Sequence, residues 1–322
     1  MRLVFRCDAS NSIGAGHVMR CLAIAEEAIT RGIPTIFIAE IESLTWVKEA
    51  ILHTPNLVWI EDPKDFVSES SKDVLIIDSY VISVSDPFIQ AKKWLKVVAL
   101  VDKETPQYEA QIKIHPGLDT SWTNDKSIIF GRGYIPMRKA IKKIMQIENK
   151  IIKIIVVGGG TNIENFVTII SNRLRLTDLA FTAHLFSDVF ISSELIDNRF
   201  VFEPIGERLD QLADQADLIL TTASTTCLEF VAREKAIGVV SAVDNQDSYF
   251  KALTQEGLAA PVGEFIGGNW AINQDVLTAL LCSVEYRSRL KAKTKGYLDL
   301  LGASRILEKI YEGHDHYFQV PK

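Results

Sequence analysis

Residues 2–32, RLVFRCDASNSIGAGHVMRCLAIAEEAITRG, decide the fold class of the chain. A largely apolar, strand-like run comes first, and a short polar segment with Gly14 and Gly16 follows it. Apolar residues then recur at the spacing of an amphipathic helix, at Val18, Leu22, Ala25 and Ile29. A strand, a glycine-containing turn and a helix in this order predict the first half of a βαβ unit.

The same alternation continues along the chain in two series. Strand-like runs such as DVLIIDS (73–79) and KVVALVD (96–102) alternate with helix-like runs in the first series. A second series begins with KIIKIIVVGGG (150–160). Alternation at this spacing predicts parallel sheets. We therefore predict an α/β protein with one domain at 1–149 and another at 150–322, whose final helix can pack back on the first domain.

The expected position of the ligand follows from the sheet type. Open parallel sheets bind ligands beyond the carboxyl ends of their strands. Two such sheets facing each other predict a cleft between the two halves. The loops that follow strands are therefore where functional residues are expected.

The composition narrows the class of protein. Of the 322 residues, 47% are hydrophobic, and the net charge of -6 argues against a non-specific nucleic-acid binder. No apolar run approaches the roughly 20 residues of a membrane span, and the N-terminus does not resemble a signal peptide. The scattered cysteines form no CxxC motif. They predict reduced, buried thiols in a cytoplasmic protein. No motif in the sequence calls for a metal or another cofactor, and we expect none. The oligomeric state stays open.

Gly14, Gly16 and His17 occupy the turn between the first strand and the first helix. The glycines allow a tight turn and a close approach of the backbone to a ligand. The helix start offers N–H groups to a phosphate or a developing anion. His17 in this position is a candidate general base near neutral pH. The alternative is structural: His17 caps its own helix, and the glycines serve only the turn.

Two loops of the second series have a similar character. GGGTN (158–162) follows a strand, and its glycine amides can cradle a phosphate, although a flexible turn has the same composition. TTASTTCLEF (221–230) places Ser224 and Thr225 at a helix start, where they cap the helix or bind a diphosphate. Glu229, about one turn further on, is a candidate partner of ribose hydroxyls. A solvent-facing side chain is the structural alternative.

IIDSY (76–80) and DNQDS (244–248) contain the remaining candidates. Asp78 and Tyr80 end a buried strand and are well placed for a cleft, though an aromatic residue also closes the edge of a core. The second stretch begins another helix. Its side-chain amides either contact a sugar or phosphate, or they cap that helix. These amides belong to Asn245 and Gln246.

Together these stretches resemble a known family. RCDASNSIGAGHVMRCLAIA (6–25) resembles the opening signature of the UDP-2,4-diacetamido-2,4,6-trideoxy-β-L-altropyranose hydrolases of pseudaminic acid biosynthesis, and of the related spore-coat polysaccharide proteins. The resemblance covers most of the chain, because matching stretches follow in the same order: IIDSYVIS, FGRGYIPMR, GGGTNIENF, STTCLEFVA, DNQDS and GASRI. It implies the GT-B architecture, in which two Rossmann-like domains face a cleft.

The resemblance also implies an activity and a set of site residues. Water replaces UDP at the anomeric carbon of the sugar without a metal, and His17 is the base that activates this water. Tyr80 matches a tyrosine of the family's cleft. The resemblance implies that the UDP-sugar is bound in the first half by Asp8, Ser10, Gly14, Gly16, Arg20 and Asp78, and in the second half by Gly159, Gly160, Ser224, Thr225, Glu229, Asn245 and Gln246.

Hydrolysis of a UDP-sugar is therefore our first interpretation, and two others stay open. The chain departs from the family's usual residues at positions that flank the expected sugar pocket, namely Ser79, Lys103, His115 and Asn162. A GT-B glycosyltransferase with a UDP- or CMP-sugar donor is the alternative, and a non-catalytic nucleotide-sugar-binding protein is the third interpretation. Release of UDP in water alone would indicate hydrolysis, whereas release that requires an added alcohol would indicate transfer.

Overall fold

The structure, a computed structural model, describes residues 1–69, 72–90, 94–119, 121–143, 150–187 and 198–312. The chain forms two compact units. The first comprises Met1–Lys139 and Asp299–Lys322, and the second comprises Ala140–Leu298. The division thus falls after residue 139, where the sequence suggests residue 149, and the C-terminal segment belongs to the first unit.

The first unit is built around a parallel sheet. Its elements, up to the boundary with the second unit, are β1 (Arg2–Cys7), α1 (Gly16–Thr30), β2 (Thr35–Ile38), α2 (Thr45–Leu52), β3 (Val58–Ile60), β4 (Asp73–Asp78), α3 (Pro87–Gln90), β5 (Lys96–Leu100), β6 (Ile112–Ile114) and β7 (Ile128–Ile129). Its strands run in the order β3-β2-β1-β4-β5-β6-β7. Every neighbouring pair is parallel, as the alternation in the sequence predicts.

Strand β4 shows why the central strands of this sheet are continuous apolar runs. All of its residues are buried, because both faces of a parallel sheet are covered. Ile76 packs in the same core cluster as Val18 of α1. Leu75 and Ile77 point to the opposite face and belong to a separate cluster, as the two-residue period of a strand requires.

The second unit repeats this plan. Its elements are β8 (Ile152–Val157), α4 (Phe166–Arg175), β9 (Phe181–Phe186), β10 (Phe200–Glu203), α5 (Arg208–Gln215), β11 (Leu218–Thr222), α6 (Thr225–Ala232), β12 (Ile237–Ser241), α7 (Asp247–Gln255), β13 (Ala260–Ile266), β14 (Asn269–Ile272), α8 (Gln274–Cys282) and α9 (Val284–Thr294). The strand order is β10-β9-β8-β11-β12-β13-β14. The pairs are parallel apart from β13 and β14, which are antiparallel. Helix α10 (Gly302–Tyr311) follows α9 and belongs to the first unit.

In each sheet the strand order reverses at one place. The reversal lies between β1 and β4 in the first unit and between β8 and β11 in the second. Connections leave in opposite directions on either side of such a point, so a crevice opens at the carboxyl ends of the two strands. The loops after these four strands contain most of the site residues that the sequence suggests.

Helix α10 covers α1 in the first unit. Ile306 and Ile310 have no exposed surface and belong to the same core cluster as the buried face of α1. At the start of the helix, a Cβ added to Gly302 would lie 1.9 Å from the carbonyl oxygen of Ile135. At its other end, Lys96 Nζ donates a hydrogen bond to the Ile310 carbonyl at 2.6 Å. The helix is therefore held at both ends.

The structure describes most, but not all, of the predicted elements. The helical tail that the sequence predicts from residue 274 corresponds to α8, α9 and α10. A helix predicted at 192–197 and the tail with His314 and His316, predicted to bind no metal, lie outside the described residues. Within the described ranges, no helix is long and apolar enough to cross a bilayer.

Candidate active site

The loop after β1 turns tightly before α1 begins at Gly16. Gly14 donates its N–H to the Ser10 carbonyl at 2.8 Å, and its φ of +75° lies in the left-handed region that glycine tolerates. Ala15 is the N-cap residue, and no side chain caps the helix. His17 therefore does not cap its own helix, and its ring is free to take another partner.

That partner is Asp78, which lies 61 residues further along the chain at the end of β4. His17 Nδ1 and Asp78 Oδ1 are 2.7 Å apart. The contact arises because β1 and β4 are adjacent, with Cys7 opposite Asp78. His17 is 4% exposed and Asp78 is fully buried. The two residues form an imidazole–carboxylate pair at the point where the strand order reverses.

The carboxylate determines which nitrogen of His17 carries the proton. Nδ1 lies 2.7 Å from Asp78 Oδ1 and 3.0 Å from Arg20 Nη2. A carboxylate only accepts and a guanidinium only donates, so the shorter contact, to Asp78, favours the proton on Nδ1 and the lone pair on Nε2. No hydrogen bond among the described residues uses Nε2. His17 Nε2 is not among the fully buried side-chain atoms that lack a hydrogen-bond partner. The Nε2 atom therefore retains some exposed surface. A fixed ring with an exposed, unprotonated nitrogen has the geometry of a general base.

Arg20 binds the other side of Asp78. Its Nε donates to Oδ2, and its Nη2 donates to Oδ1 at 2.6 Å. Burial opposes the ionisation of Asp78, but Arg20 and His17 outweigh it and lower the pKa of the carboxyl to about 2. The guanidinium, a predicted substrate contact, is 7% exposed and is bound to this carboxylate. Asp78 thus stays charged near neutral pH and can stabilise an imidazolium at His17.

Tyr80 lies edge-on against the imidazole. The ring centroids of His17 and Tyr80 are 4.2 Å apart, and the ring planes are perpendicular at 90°. The Tyr80 hydroxyl donates to Asp102 Oδ2 at 2.6 Å. Burial raises the pKa of this hydroxyl, and Asp102 adds to the effect although Arg20 opposes it. The phenol therefore keeps its proton and gives its hydrogen bond to Asp102.

Two residues at the same edge of the sheet are not among the sequence-derived candidates. Asp102 follows β5 as the last residue of KVVALVD, and the rule that singled out Asp78 at a strand end applies to it equally. His115 follows β6 and donates from Nδ1 to the Val101 carbonyl at 2.8 Å. Its buried Nε2 has no partner among the described residues, and burial lowers its pKa.

Asp8 and Ser10 form hydrogen bonds with other protein groups near the end of β1. Asp8 pairs with Arg6 and accepts a hydrogen bond from the Glu40 N–H at 3.0 Å. The hydroxyls of Ser10 and Ser12 are 2.9 Å apart. Both residues thus maintain the shape of the loop, and their contact with substrate stays a prediction.

In the second unit, the loops after β8 and β11 lie side by side because these two strands are adjacent. Thr222 Oγ1 donates to the Gly158 carbonyl at 3.0 Å. Gly159 has a φ of +98°, and a Cβ added to it would lie 3.4 Å from Ser224 Oγ. The structure therefore places two of the predicted phosphate-binding residues, Gly159 and Ser224, close to each other. Gly160 follows in the same loop and is partly exposed.

Ser224 is the N-cap residue of α6, but its side chain does not cap the helix. Thr225 begins the helix, and Glu229 follows about one turn later; both are partly exposed. The first amides of an α-helix have no partner within the helix, so this end suits an anion such as a diphosphate. The structural alternative for Ser224, capping through its hydroxyl, is therefore not what the side chain does.

Gln246 turns back on its own loop. Its Oε1 accepts a hydrogen bond from the Ala242 N–H at 3.0 Å, so the oxygen suggested for the sugar already has a partner within the protein. Asn245 has its backbone in the turn Asp244–Gln246, and its side chain lies outside the described part of the structure.

The site residues suggested by the sequence thus fall into two groups, one in each unit. Those in contact within the first unit are His17, Arg20, Asp78 and Tyr80. Those that lie close to each other within the second unit are Gly159 and Ser224. In the part of the chain that the structure describes, no three His, Cys, Asp or Glu side chains are grouped as metal ligands.

No protein-family model and no curated protein matches the chain. Solved structures match it over nearly its whole length. MurG of Acinetobacter baumannii has a TM-score of 0.63 and 14% identity over 97% of this chain and 100% of that one. The calicheamicin glycosyltransferase CalG4 has a TM-score of 0.63 and 11% identity over 98% of each chain. The S. aureus MnaA–UDP co-structure has a TM-score of 0.62 and 10% identity over 100% of this chain and 99% of that one.

At these identities the likeness establishes the fold alone. The chain has the GT-B fold with two Rossmann-like domains, which confirms the fold class that the sequence predicts. The resemblance to the UDP-sugar hydrolases stays a prediction.

Proposed function

We propose that the chain is a nucleotide-sugar-dependent glycosyltransferase in which His17 is the general base. The observation that carries this proposal is the 2.7 Å contact between His17 Nδ1 and the buried Asp78 carboxylate. We infer from it that Nδ1 carries the proton and that Nε2 can take another. Two structural neighbours support the choice of substrate class. CalG4 is a glycosyltransferase, the MnaA structure contains UDP, and each matches at least 98% of this chain.

In this proposal the second unit holds the UDP part of the donor. The diphosphate binds where the glycine loop meets the start of α6, at Gly159 and Ser224. Backbone amides of a loop and a helix N-terminus stabilise the negative charge that develops on the leaving diphosphate. Glu229, on the same helix, accepts hydrogen bonds from the ribose hydroxyls.

The chemical step uses the pair in the first unit. The acceptor hydroxyl gives its proton to His17 Nε2 while its oxygen forms a bond to the anomeric carbon of the sugar. The bond from that carbon to the β-phosphate oxygen breaks, and UDP leaves with the electron pair. Asp78 stabilises the imidazolium that results, as a carboxylate behind a catalytic histidine does. A general base of this kind contributes roughly 10²- to 10⁴-fold to the rate.

Hydrolysis of the UDP-sugar is the second candidate function. It uses the same base, which activates water in place of an acceptor hydroxyl. The observation that favours it is the opening motif, in which Gly14, Gly16 and His17 follow the pattern of the UDP-diacetamido-trideoxyhexose hydrolases. Such a hydrolase would supply the free sugar for nonulosonic acid biosynthesis.

UDP release distinguishes the two functions. The protein is incubated with UDP-N-acetylglucosamine, with a UDP-2,4-diacetamido-2,4,6-trideoxyhexose and with a CMP-sugar, each with and without a mixture of alcohol acceptors. Nucleotide release that needs an acceptor supports transfer, and prompt release with free sugar in water supports hydrolysis. Binding of all three donors without release under either condition contradicts both functions and leaves a binding protein.

His17→Gln tests the role of the base in either reaction. We expect turnover to fall by roughly 10²- to 10⁴-fold, with UDP affinity unchanged because the nucleotide contacts lie in the second unit. His53→Gln, at the exposed C-cap of α2, is the matched control and should retain full activity. Turnover of the His17 variant within a few-fold of wild type would remove His17 from the mechanism.

A further inference from the structure

We propose that Asp102 is a positioning residue for the base: through the Tyr80 hydroxyl it holds the His17 ring in the orientation that keeps Nε2 exposed. The inference rests on the proposed function, in which His17 takes the proton. Among the described residues, no hydrogen bond or ion pair joins Asp102 to the imidazole. Its influence passes through Tyr80, which touches both residues.

The first step of the argument concerns the freedom of the imidazole. The hydrogen bond from Nδ1 to Asp78 fixes one edge of the ring. Arg20 Nη2, at 3.0 Å, meets the ring at the same nitrogen. Contacts at one atom do not define a plane, so rotation of the ring about that atom remains open. The perpendicular Tyr80 ring, 4.2 Å from the His17 ring, restricts that rotation. Edge-to-face contact is a favoured geometry for two aromatic rings.

The second step concerns the phenol. Tyr80 is partly buried, and its hydroxyl proton is donated to Asp102 Oδ2 at 2.6 Å. A hydroxyl that already donates its proton to a carboxylate is not free to protonate a substrate. The part of Tyr80 that bears on the base is therefore its ring, and the hydroxyl serves as the anchor of that ring.

The third step concerns the anchor. Asp102 Oδ1 accepts from the Thr105 hydroxyl at 3.0 Å and from the Glu104 N–H at 3.1 Å. The Asp102 N–H in turn donates to Thr105 Oγ1 at 2.9 Å. The loop after β5 thus occupies one carboxyl oxygen and directs the other at Tyr80. Arg20 Nη2 lies 3.7 Å from that second oxygen, so both oxygens face protein groups.

The test compares Tyr80→Phe, Asp102→Asn and the double variant by kcat and KM in the UDP-release assay. We expect each single variant to lower kcat roughly 3- to 10-fold, which is the range that loss of an ordered aromatic contact can reach, and to leave KM within about two-fold. The double variant should be no slower than the slower single variant, because the two residues act in series. Losses that multiply in the double variant would overturn the proposal.

The matched control is another tyrosine–carboxylate bond of the same length. Tyr297 donates to Glu256 Oε2 at 2.6 Å in the second unit. Tyr297→Phe and Glu256→Gln should leave kcat unchanged. Circular dichroism checks that Asp102→Asn folds. Tyr80→Phe retains the ring and tests the same link if Asp102→Asn does not fold.

A second measurement decides the proposal without any turnover. Nitrogen-15 spectra of histidine-labelled protein report the protonation of each ring nitrogen, and loss of one set of signals in His17→Gln assigns those of His17. We expect a single form with the proton on Nδ1 in the wild type, and a second form or exchange broadening in Tyr80→Phe and Asp102→Asn. Unchanged His17 signals in both variants would overturn the positioning role. If no nucleotide sugar is turned over, the proposed function fails, and the spectra still decide this inference.

Discussion

Asp78→Asn should destabilise the first unit by about 3 kcal/mol. The substitution keeps the shape of the side chain and removes its charge, so Arg20 loses its bidentate carboxylate. Removing one partner of a buried ion pair costs about 3–5 kcal/mol, because the other charge stays buried. Arg20 is 7% exposed, and Asp102 at 3.7 Å is a second carboxylate for it. This remaining contact places the expected loss at the lower end of the range.

Urea unfolding followed by tryptophan fluorescence measures this loss. Of the 5 tryptophans in the chain, those that belong to the first unit are Trp46, Trp59, Trp94 and Trp122. The fluorescence transition therefore reports mainly on the unit that contains Asp78. The loss is the difference in the extrapolated free energy of unfolding between variant and wild type, and it is meaningful if the slope of that free energy against urea stays unchanged.

Two further variants show whether the buried charge is the cause. Asp125→Asn removes an exposed carboxylate of the first unit, and its effect on the free energy of unfolding should be much smaller than that of Asp78→Asn. Adding Arg20→Met to Asp78→Asn removes the uncompensated charge, and the double variant should be more stable than Asp78→Asn alone. A loss below about 1 kcal/mol in Asp78→Asn would refute the reasoning, as would a double variant that is less stable than the single one.

The same pair gives the first unit a pH dependence. The pKa of Asp78 is about 2 in the folded chain, against an ordinary value of 3.8. This difference corresponds to about 2.5 kcal/mol of stabilisation of the folded chain by the charged carboxylate. Because the folded-state pKa is the lower one, the unfolded chain binds the proton first as the pH falls. The stabilisation is therefore complete above about pH 4 and is lost toward about pH 2. The stability gap between wild type and Asp78→Asn should narrow across this window, and a constant gap would contradict the assignment.

The remaining predictions concern packing, a buried lysine and the nucleotide. Gly302→Ala should destabilise the first unit by about 1–3 kcal/mol in urea, the usual cost of overpacking, because the new Cβ would lie 1.9 Å from the Ile135 carbonyl oxygen. Lys235 is 2% exposed, and burial lowers its pKa to about 8 from 10.5. Because the folded chain releases this proton first, stability should rise between about pH 8 and about pH 10.5, and Lys235→Met should flatten that rise in unfolding followed by circular dichroism. Glu229→Ala should weaken UDP binding by about 1.5–3 kcal/mol in calorimetry, the value of a hydrogen bond to a charged group.

Each of these expectations has a control within the chain. Gly133→Ala would place its Cβ 3.5 Å from Arg305, an ordinary contact, and equal losses at Gly133 and Gly302 would reject the packing argument. Lys153→Met removes a lysine that is not buried, and the rise in stability at alkaline pH should be the same as in the wild type. Unchanged UDP affinity in Glu229→Ala would remove that residue from the ribose site.

The local pattern of the sequence is sufficient for the fold class and for the position of the candidate loops. Runs such as those of β1, β4 and β8 are apolar because a parallel sheet buries both faces of its central strands. Glycines and small polar residues after such runs mark the turns into helices. Both features are readable without any knowledge of which strands are neighbours.

Pairings across the sheet are not readable in this way. The sequence singles out His17 and Asp78 separately, but their hydrogen bond depends on the adjacency of β1 and β4. That adjacency results from the reversal of strand order, and no local spacing encodes it. Asp102 satisfies the same strand-end rule as Asp78, but its pairing with Tyr80 depends on β5 lying next to β4, which no local spacing encodes.

Composition also does not reveal whether a polar side chain binds a ligand or forms a hydrogen bond within the protein. Asp8 and Gln246 are suggested as ligand contacts, yet Asp8 accepts from the Glu40 N–H and Gln246 from the Ala242 N–H. Loop amides need acceptors whether or not a ligand is present. The boundary after residue 139 is also not readable, because it depends on contacts between segments. The return of the final helix to the first domain is readable only as a possibility, which its packing against α1 realises.

The return of α10 has a consequence for the order in which the protein is completed during synthesis. The first unit is discontinuous in sequence, and all 159 residues of Ala140–Leu298 are translated before the helix that covers α1. Until then the nascent chain exposes the apolar surface that Ile306 and Ile310 later bury. The unit that begins first on the ribosome is therefore the last to mature, and a premature stop codon before residue 302 would leave His17 on a helix without its cover.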